Sequence, residues 1–544
     1  MIQGFIACVK CFLIQEDLTG FDVLEKRDQE EFKMRIKRLI PCGILTYLLS
    51  AYLPVSIHPI AVQDFKVNSD TAEGIAQDWP DIAFDSLGNF VIVYCDKGVD
   101  GDFRQIYFQR FDSQANRLGV PVLVSDTTLR HNDSPATAMH PSGRFIITWR
   151  SGTCAPEWNH DIQVRRYDSS GNALDLWQRV DMERPDPDSV SWPRDPEIAI
   201  DTAGNFVIVW QAQEHPGHKG WAQLFNAFGE RVGENFLILD LNASANPLIN
   251  EFEFPRVAYN SQGYFFICWM GAISGPGGTK YHPLGRVYNH SREPITKIFP
   301  LVTPGSEWDY GGHVCVAANS RDNFVTAFGV NDTLGTYPNN AIAVRTFDTL
   351  GNALNEVTIV NDVIDLGDIW WTVRVAVDDL DGYVVLWSDS RDGRNLWAQR
   401  FNSEDEPQGK NYRINVPPNS LATPGGAGWN MLCWSLDICK NSVGFAWMDF
   451  RNYTTYGADV YARVLNLDAI GHYLPGDVIL DGIVDTADVR YLINYLLIDG
   501  WGLVPDWTGD VNASGEVTVS DVVYLVNYLF KGGPPPQKPM TASE

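Results

Sequence analysis

Residues 509–529 read GDVNASGEVTVSDVVYLVNYL. Asp510, Asn512 and Ser514 set side-chain oxygens at alternate positions, Gly515 follows, Glu516 offers its backbone carbonyl, and Asp521 closes the run. Oxygens at this spacing converge on one point when the chain coils, and glycine permits the sharp turn. A donor set made only of hard oxygens suits Ca²⁺ rather than a thiolate-seeking metal. Residues 476–496, GDVILDGIVDTADVRYLINYL, repeat the pattern 33 residues upstream, with Asp477, Asp481, the Ile483 carbonyl and Asp488 at the same offsets. Ile479 stands at the third position, where it supplies no ligand, so weaker binding is expected there. Asp485, at the ninth position, is placed to compensate directly or through water. Each loop runs into apolar residues at helical spacing.

Both loops are followed by Tyr-Leu-x-Asn-Tyr-Leu, at 491–496 and 524–529. Over residues 474–536 this duplication resembles type I dockerin modules. The resemblance implies folding on Ca²⁺ and docking through the helices onto a cohesin module of a scaffold or cell-surface protein. The docking face would present Thr486, Ala487, Arg490 and Tyr491, or the duplicated Val519, Ser520, Val523 and Tyr524. Coupling to metal is physically reasonable, because so small a domain has too little core to stand alone. Residues 537–544 are expected to be a disordered tail.

Upstream, the chain repeats on a longer period. PDIAFDSLGNFVIVY at 80–94 is echoed by PATAMHPSGRFIITW at 135–149, PEIAIDTAGNFVIVW at 196–210 and PRVAYNSQGYFFICW at 255–269. Three more divergent copies follow, ending at Phe328, Trp387 and Trp447. The closing aromatics, from Tyr94 to Trp447, recur at intervals of 55 to 61 residues. Each unit reads as an alternating strand, a Gly/Asn hairpin, an apolar strand, a third strand with a recurring Arg-aromatic ending, and a weaker fourth. Four strands in about sixty residues is the arithmetic of a propeller blade. The seventh unit runs out after its third strand, while DFKVNSDT at 64–71 looks like a fourth strand without a unit. Pairing the two would close the ring and remove an exposed edge. An open solenoid or a string of sandwiches is the alternative, but capping segments would then be expected, and none is seen. The expected fold is therefore mainly β: a seven-bladed β-propeller over 64–470, with a small α-helical calcium-binding dockerin at the C-terminus. Trp387-Ser-Asp389-Ser-Arg391 and Trp447-Met-Asp449-Phe-Arg451 suggest an Asp–Arg pair locking the loop after the second strand.

The 544 residues carry a net charge of −27, which argues against phosphate-backbone binding. Arg35, Lys37 and Arg38 precede an apolar run from Leu39 to Val55. Residues 34–63 thus read as a secretory signal peptide, with a membrane anchor as the alternative. Residues 1–33 are expected to be an overextended start, and the product to be secreted, free or attached at the cell surface. No other segment is apolar enough to span a bilayer. Of nine cysteines, Cys95, Cys154, Cys268, Cys315, Cys433 and Cys439 follow this region. No zinc spacing is present; disulfides and buried free thiols both remain open.

Aromatics crowd the loops expected on one face of the ring. Trp79, Trp192, Trp308, Trp370 and Trp429 precede first strands, and Trp158, His160, His215 and His218 follow second strands. Trp158, Trp192, Trp308 and Asp309 are the candidate ligand-binding residues, since aromatic rings stack on sugar faces. Recurring tryptophans such as Trp79 are expected to wedge between blades instead. Asp309, Glu307, Glu157, Glu214 and Asp332 offer carboxylates, but no motif picks a catalytic pair. The residues therefore favour a module that binds polysaccharide or protein, displayed through the dockerin. A glycoside hydrolase or polysaccharide lyase is the alternative.

Overall fold

The computed structural model describes residues 64–538, apart from segments 70–75, 99–102, 127–130, 153–159, 183–191, 214–217, 240–250, 276–277, 303–307, 310–312, 333–340, 363–369, 390–394, 416–433, 451–457, 480–483 and 498–505. Two compact units result. The larger holds the described residues from Asp64 to Leu474 together with Ile479, and the smaller those of Pro475–Val478 and from Val484 onward.

The larger unit is a seven-bladed β-propeller. Seven antiparallel sheets follow one another along the chain, six with four strands and the fifth blade with one extra short strand, Trp308–Asp309. Blade 1 is built from Gln77–Phe84, Phe90–Asp96, Gln105–Phe111 and Val122–Leu123. The first strand of each blade touches the first strand of the next, and that of blade 7, Trp434–Cys439, returns to Gln77–Phe84. These seven first strands are the ones around the axis.

Ring closure follows the sequence expectation. Phe65–Lys66 adds to the third strand of blade 7, with Phe65 opposite Ala462 and Lys66 opposite Tyr461. Asn68 donates to Asp459 Oδ1 at 2.9 Å and accepts from the Val460 N–H at 3.0 Å.

The hairpins form where the sequence places an acid or amide four residues before Asn or Glu. Asp85 Oδ1 accepts from the Leu87 and Asn89 N–H groups at 2.8 and 2.9 Å, and Asp201 holds Ala203 and Asn205 in the same way. Gly88 adopts φ 86°, which costs a glycine little.

The apolar core is divided into seven clusters, each filling the wedge between two neighbouring blades. Trp149, Trp269, Trp387 and Trp447 are fully buried within them. The Trp-x-Asp pattern has a specific use: Asp389 Oδ2 accepts the Trp387 indole N–H at 2.9 Å, and Asp449 that of Trp447 at 3.0 Å. Arg391 and Arg451, the expected partners of those acids, lie outside the described residues.

A polar girdle joins the blades. One side chain of every blade donates to a backbone carbonyl on the blade before it: Arg117 to Val67, Arg165 to Val124, Arg231 to Val180, Arg286 to Ile238, Arg345 to Leu301, Asn411 to Val360 and Arg463 to Ile414, at 2.7 to 3.4 Å. In four blades the donor is the Arg of the recurring third-strand motif. Cys95, Cys268, Cys315 and Cys439 are buried free thiols.

The smaller unit has two helices, α1 (Thr486–Leu497) and α2 (Val519–Lys531), which pack on each other. Thr518 caps α2 through a capping box with Asp521, and Gly532 ends it in the left-handed conformation at φ 68°. No described helix is long and apolar enough to cross a membrane.

Candidate functional site: the axial mouth of the ring

Every first strand places one residue at an equal register, paired across to the second strand. Around the axis these are Asp81, Ala136, Glu197, Arg256, Cys315, Arg374 and Ser435. Just before this position, blades 1 to 4 carry a dipeptide ending in proline: Trp79-Pro80, Ser134-Pro135, Asp195-Pro196 and Phe254-Pro255. Each is a bulge where the register shifts, and its first residue is held at φ 49° to 51°. Proline brings no N–H to be orphaned by the bulge. Non-glycine residues held in this region cost about 1–3 kcal/mol each and cluster at functional sites.

Asp81, Glu197, Arg256 and Arg374 line one cavity with the Trp79, Ser134 and Asp195 bulges above them. Asp81 is held from both sides: the Thr137 N–H donates to Oδ2 at 2.7 Å and the Ser435 hydroxyl to Oδ1 at 2.6 Å. Glu197 pairs with Arg256 at 3.0 Å. Burial raises the Asp81 pKa, against the Ser435 and Thr137 hydrogen bonds and the two arginines. Burial likewise raises Glu197; Arg256 opposes the shift and Asp81 adds to it. Two carboxylates sharing one low-dielectric site resist ionising together. His313 stacks on Phe254 with ring centroids 4.0 Å apart. Burial, followed by the charges of Arg256 and Arg374, drives its pKa down to about 3, so it is neutral.

One step further along each first strand the residues are Ala83, Ala138, Ala199, Ala258, Ala317 and Ala376, and in blade 7 Asp437. The Phe84 and Ile438 N–H groups both donate to Asp437 at 2.8 Å. Burial raises its pKa to about 7 despite those bonds, and Asp81 contributes.

The ligand-binding candidates from the sequence are not among the residues lining this cavity. Trp192 opens the first strand of blade 3, opposite Gln213, and is 41% exposed. Trp308 and Asp309 form a short strand paired with Asp332 and Asn331. Trp158 lies outside the described residues. Trp79 combines both readings, packing on the core between blades 1 and 2 while lining the cavity under the Arg104 guanidinium, 5.4 Å from its ring. His160 is buried, with its ring 5.4 Å from that of His131 and its pKa lowered to about 4 by burial. Among the described residues no three His, Cys, Asp or Glu side chains are grouped to hold a metal.

In the second C-terminal loop Asp510 accepts the Ser514 and Gly515 N–H groups at 2.8 and 2.7 Å, with Gly515 at φ 93°. Asp521 is fully buried and accepts from the Asn512 and Thr518 N–H groups at 3.2 and 2.8 Å. Asn512 Oδ1 is buried without a hydrogen-bond partner. The first loop repeats this around Asp488, which accepts from Val478 and Asp485 at 2.8 Å each. Ile479 is buried, and Asp485 Oδ1 accepts from the Ala487 N–H at the start of α1. Asp477 is described; Asp481 and Ile483 lie outside the described residues. The donor set of the second loop, two carboxylates with amide, hydroxyl and carbonyl oxygens, fits a hard cation.

No family model matches the chain, and no curated protein matches it. Solved structures resemble it in fold only. The polysaccharide lyase Uly1 is 10% identical, covering 78% of this chain and 96% of its own, with a TM-score of 0.47. An α-L-arabinanase of Penicillium chrysogenum complexed with arabinobiose is 12% identical, covering 64% and 99%, with a TM-score of 0.42. The Hadza microbial sialidase Hz136 is 14% identical, covering 68% and 74%, with a TM-score of 0.38. At these values the likenesses carry no chemistry to this chain.

Proposed function

We propose that the ring is a carbohydrate-active enzyme, a hydrolase or lyase, working at its axial mouth. The observation that carries this is the placement of Asp81 and Glu197 at one level of the axis, both with raised pKa values. An acid kept protonated toward neutrality is what general acid–base catalysis at a glycosidic linkage needs. Asp81 is the better-positioned proton donor, because two hydrogen bonds fix its carboxyl. Glu197, tied to Arg256, is the second carboxylate. This reverses the order that the sequence suggests, in which a purely binding module comes first. The test is a panel of plant and microbial polysaccharides incubated with the full chain. Expected is release of reducing ends, or of unsaturated ends if the reaction is elimination, that Asp81→Asn and Glu197→Gln abolish. Cleavage unaffected by both variants would overturn the assignment.

A second proposal concerns attachment. The two C-terminal loops would bind Ca²⁺, through Asp510, Asn512, Ser514, the Glu516 carbonyl and Asp521 in the second loop, and through Asp477, Asp481, the Ile483 carbonyl and Asp488 in the first. The unpartnered Asn512 Oδ1 favours this, since it is an oxygen donor without a protein partner. The ion would supply charge neutralisation to two inward carboxylates. The α1–α2 pair would then act as a dockerin, holding an exported enzyme to a cohesin. Circular dichroism with EDTA and with added Ca²⁺ tests it: the helical signal should fall with the chelator, and Asp510→Ala should abolish the response to Ca²⁺.

A further inference from the structure

Glu197 answers Arg256 with a 3.0 Å ion pair, and Asp81 is satisfied by the neutral donors Thr137 and Ser435. Arg374 has no such answer. Among the described residues its one hydrogen bond goes to the Val373 carbonyl, at 3.3 Å, and no ion pair reaches it. It nevertheless sits on an innermost strand and lines the cavity beside Arg256. Arg256 is itself 6% exposed, with its Nε buried and unpartnered.

A guanidinium drawn partly out of bulk water without a direct ion pair leaves charged donors to be satisfied, and a bound anion can satisfy them. Two forks at one level of the axis present more N–H donors than the local acceptors take up. Planar forks of this kind match carboxylate, and equally the oxygens of a sulfate ester, through paired charge-assisted bonds. The contrast with the rest of the molecule is sharp: the chain as a whole carries −27. An anion is therefore drawn to this point by local geometry and not by the overall field.

We infer that the axial mouth binds an anionic sugar unit, whose negative group lies between Arg256 and Arg374. The inference rests on the axial mouth being the working site. It narrows the substrate from polysaccharides in general to those bearing uronate or sulfate. The anion would give Arg374 the direct partner that Asp81 and Glu197, which act on it only at a distance, do not provide, and it would set the sugar's linkage toward Asp81 and Glu197.

Titration calorimetry on the full chain tests this with a galacturonate trimer, the same trimer methyl-esterified, and a sulfated galactan trimer. Expected is binding of at least one anionic trimer, with the ester weaker by roughly ten- to hundredfold, as for lost charged hydrogen bonds. Arg374→Gln should weaken the anionic trimer to a similar degree, and Arg374→Lys less. Preference for the galacturonate identifies a carboxylate as the source of the charge, and preference for the sulfated trimer a sulfate ester. Thermal melting separates binding from structure: Arg374→Gln should melt at or above the wild-type temperature, because it removes a half-buried cation that no ion pair holds. A lower melting temperature with unchanged binding would make Arg374 structural and overturn the inference. So would equal binding of the ester, or no binding of either anionic trimer. If the anion binds through Arg374 yet no polymer is cleaved, the inference stands and the catalytic reading falls. If a neutral polymer is cleaved through Asp81 without need of Arg374, the reverse holds.

Discussion

Ser435, on the last blade, donates its hydroxyl to Asp81, on the first, at 2.6 Å across 354 residues of sequence. The same Ser435 hydroxyl accepts from the Ile82 N–H at 3.4 Å. Ring closure and the shaping of the axial acid are therefore one event. Removing the hydroxyl withdraws a donor that favours the charged carboxylate, so Ser435→Ala should raise the Asp81 pKa further. The alkaline limb of the pH–activity profile, where a general acid loses its proton, should move to higher pH, while Arg256, Arg374, Glu197 and Asp437, the titratable and charged groups facing Asp81, stay in place. A profile that scales down without moving would contradict this.

Asp81→Asn and Glu197→Gln should each lower turnover by roughly 10²–10⁴-fold, the usual contribution of a positioned acid or base. Asp81→Asn should not lower the melting temperature much near neutral pH, since it replaces a carboxyl that burial already disfavours in its charged form, whereas Glu197→Gln should lower it, because it takes the ion-pair partner from the buried Arg256. Steady-state rates beside thermal melts check both halves.

Asp437 gives stability a slope with pH. Its folded pKa of about 7 stands above the ordinary 3.8, so the folded chain holds a proton that the unfolded chain releases. The contribution is complete below the unfolded value and is lost as pH rises through the folded one. Asp437→Asn should flatten that part of the profile, and the melting-temperature gap between variant and wild type should widen in the variant's favour from about pH 4 to about pH 7 and then level off. A constant gap would show that Asp437 titrates normally.

Asn68→Ala should destabilise the ring by about 1–3 kcal/mol, the penalty for unsatisfied buried groups. It would orphan the Val460 N–H and remove a donor from both Asp459 and Gln77. Denaturant titration reads the loss as a lower midpoint.

Asp449→Leu should cost about 1–3 kcal/mol as well, because the fully buried Trp447 indole would lose its acceptor. The corresponding indole N–H groups of Trp149 and Trp269 have no acceptor, so changing Ser151 or Gly271, which stand two residues on, removes no such bond.

Recurrence made the fold legible. The Gly/Asn hairpins, the apolar second strands and the closing aromatics had to repeat, because each wedge between blades poses the same packing problem. The isolated strand at Phe65 was readable for the same reason. The axial site was not, since recurrence hides it. Asp81, Ala136, Glu197, Arg256, Cys315, Arg374 and Ser435 occupy one repeat position and differ in nearly every blade. A repeat search scores that as divergence. The signal was present in PDIAF, PEIAI, PRVAY and VRVAV: a charged residue fixed between apolar ones on a strand that faces no bulk solvent. Trp158 and Trp192 drew notice by residue type alone, which says nothing of distance from the axis.

The clasp between Asn68 and Asp459 spans 391 residues. A ribosome adding about 5–20 residues per second makes its two halves some tens of seconds apart. Throughout that interval the earliest strand has no partner, and the incomplete ring keeps an open flank at each of its two ends. The protein is thus most exposed to mispairing while it is being made, and a helper that shields Phe65 and Lys66 during synthesis would raise its yield without altering the finished molecule.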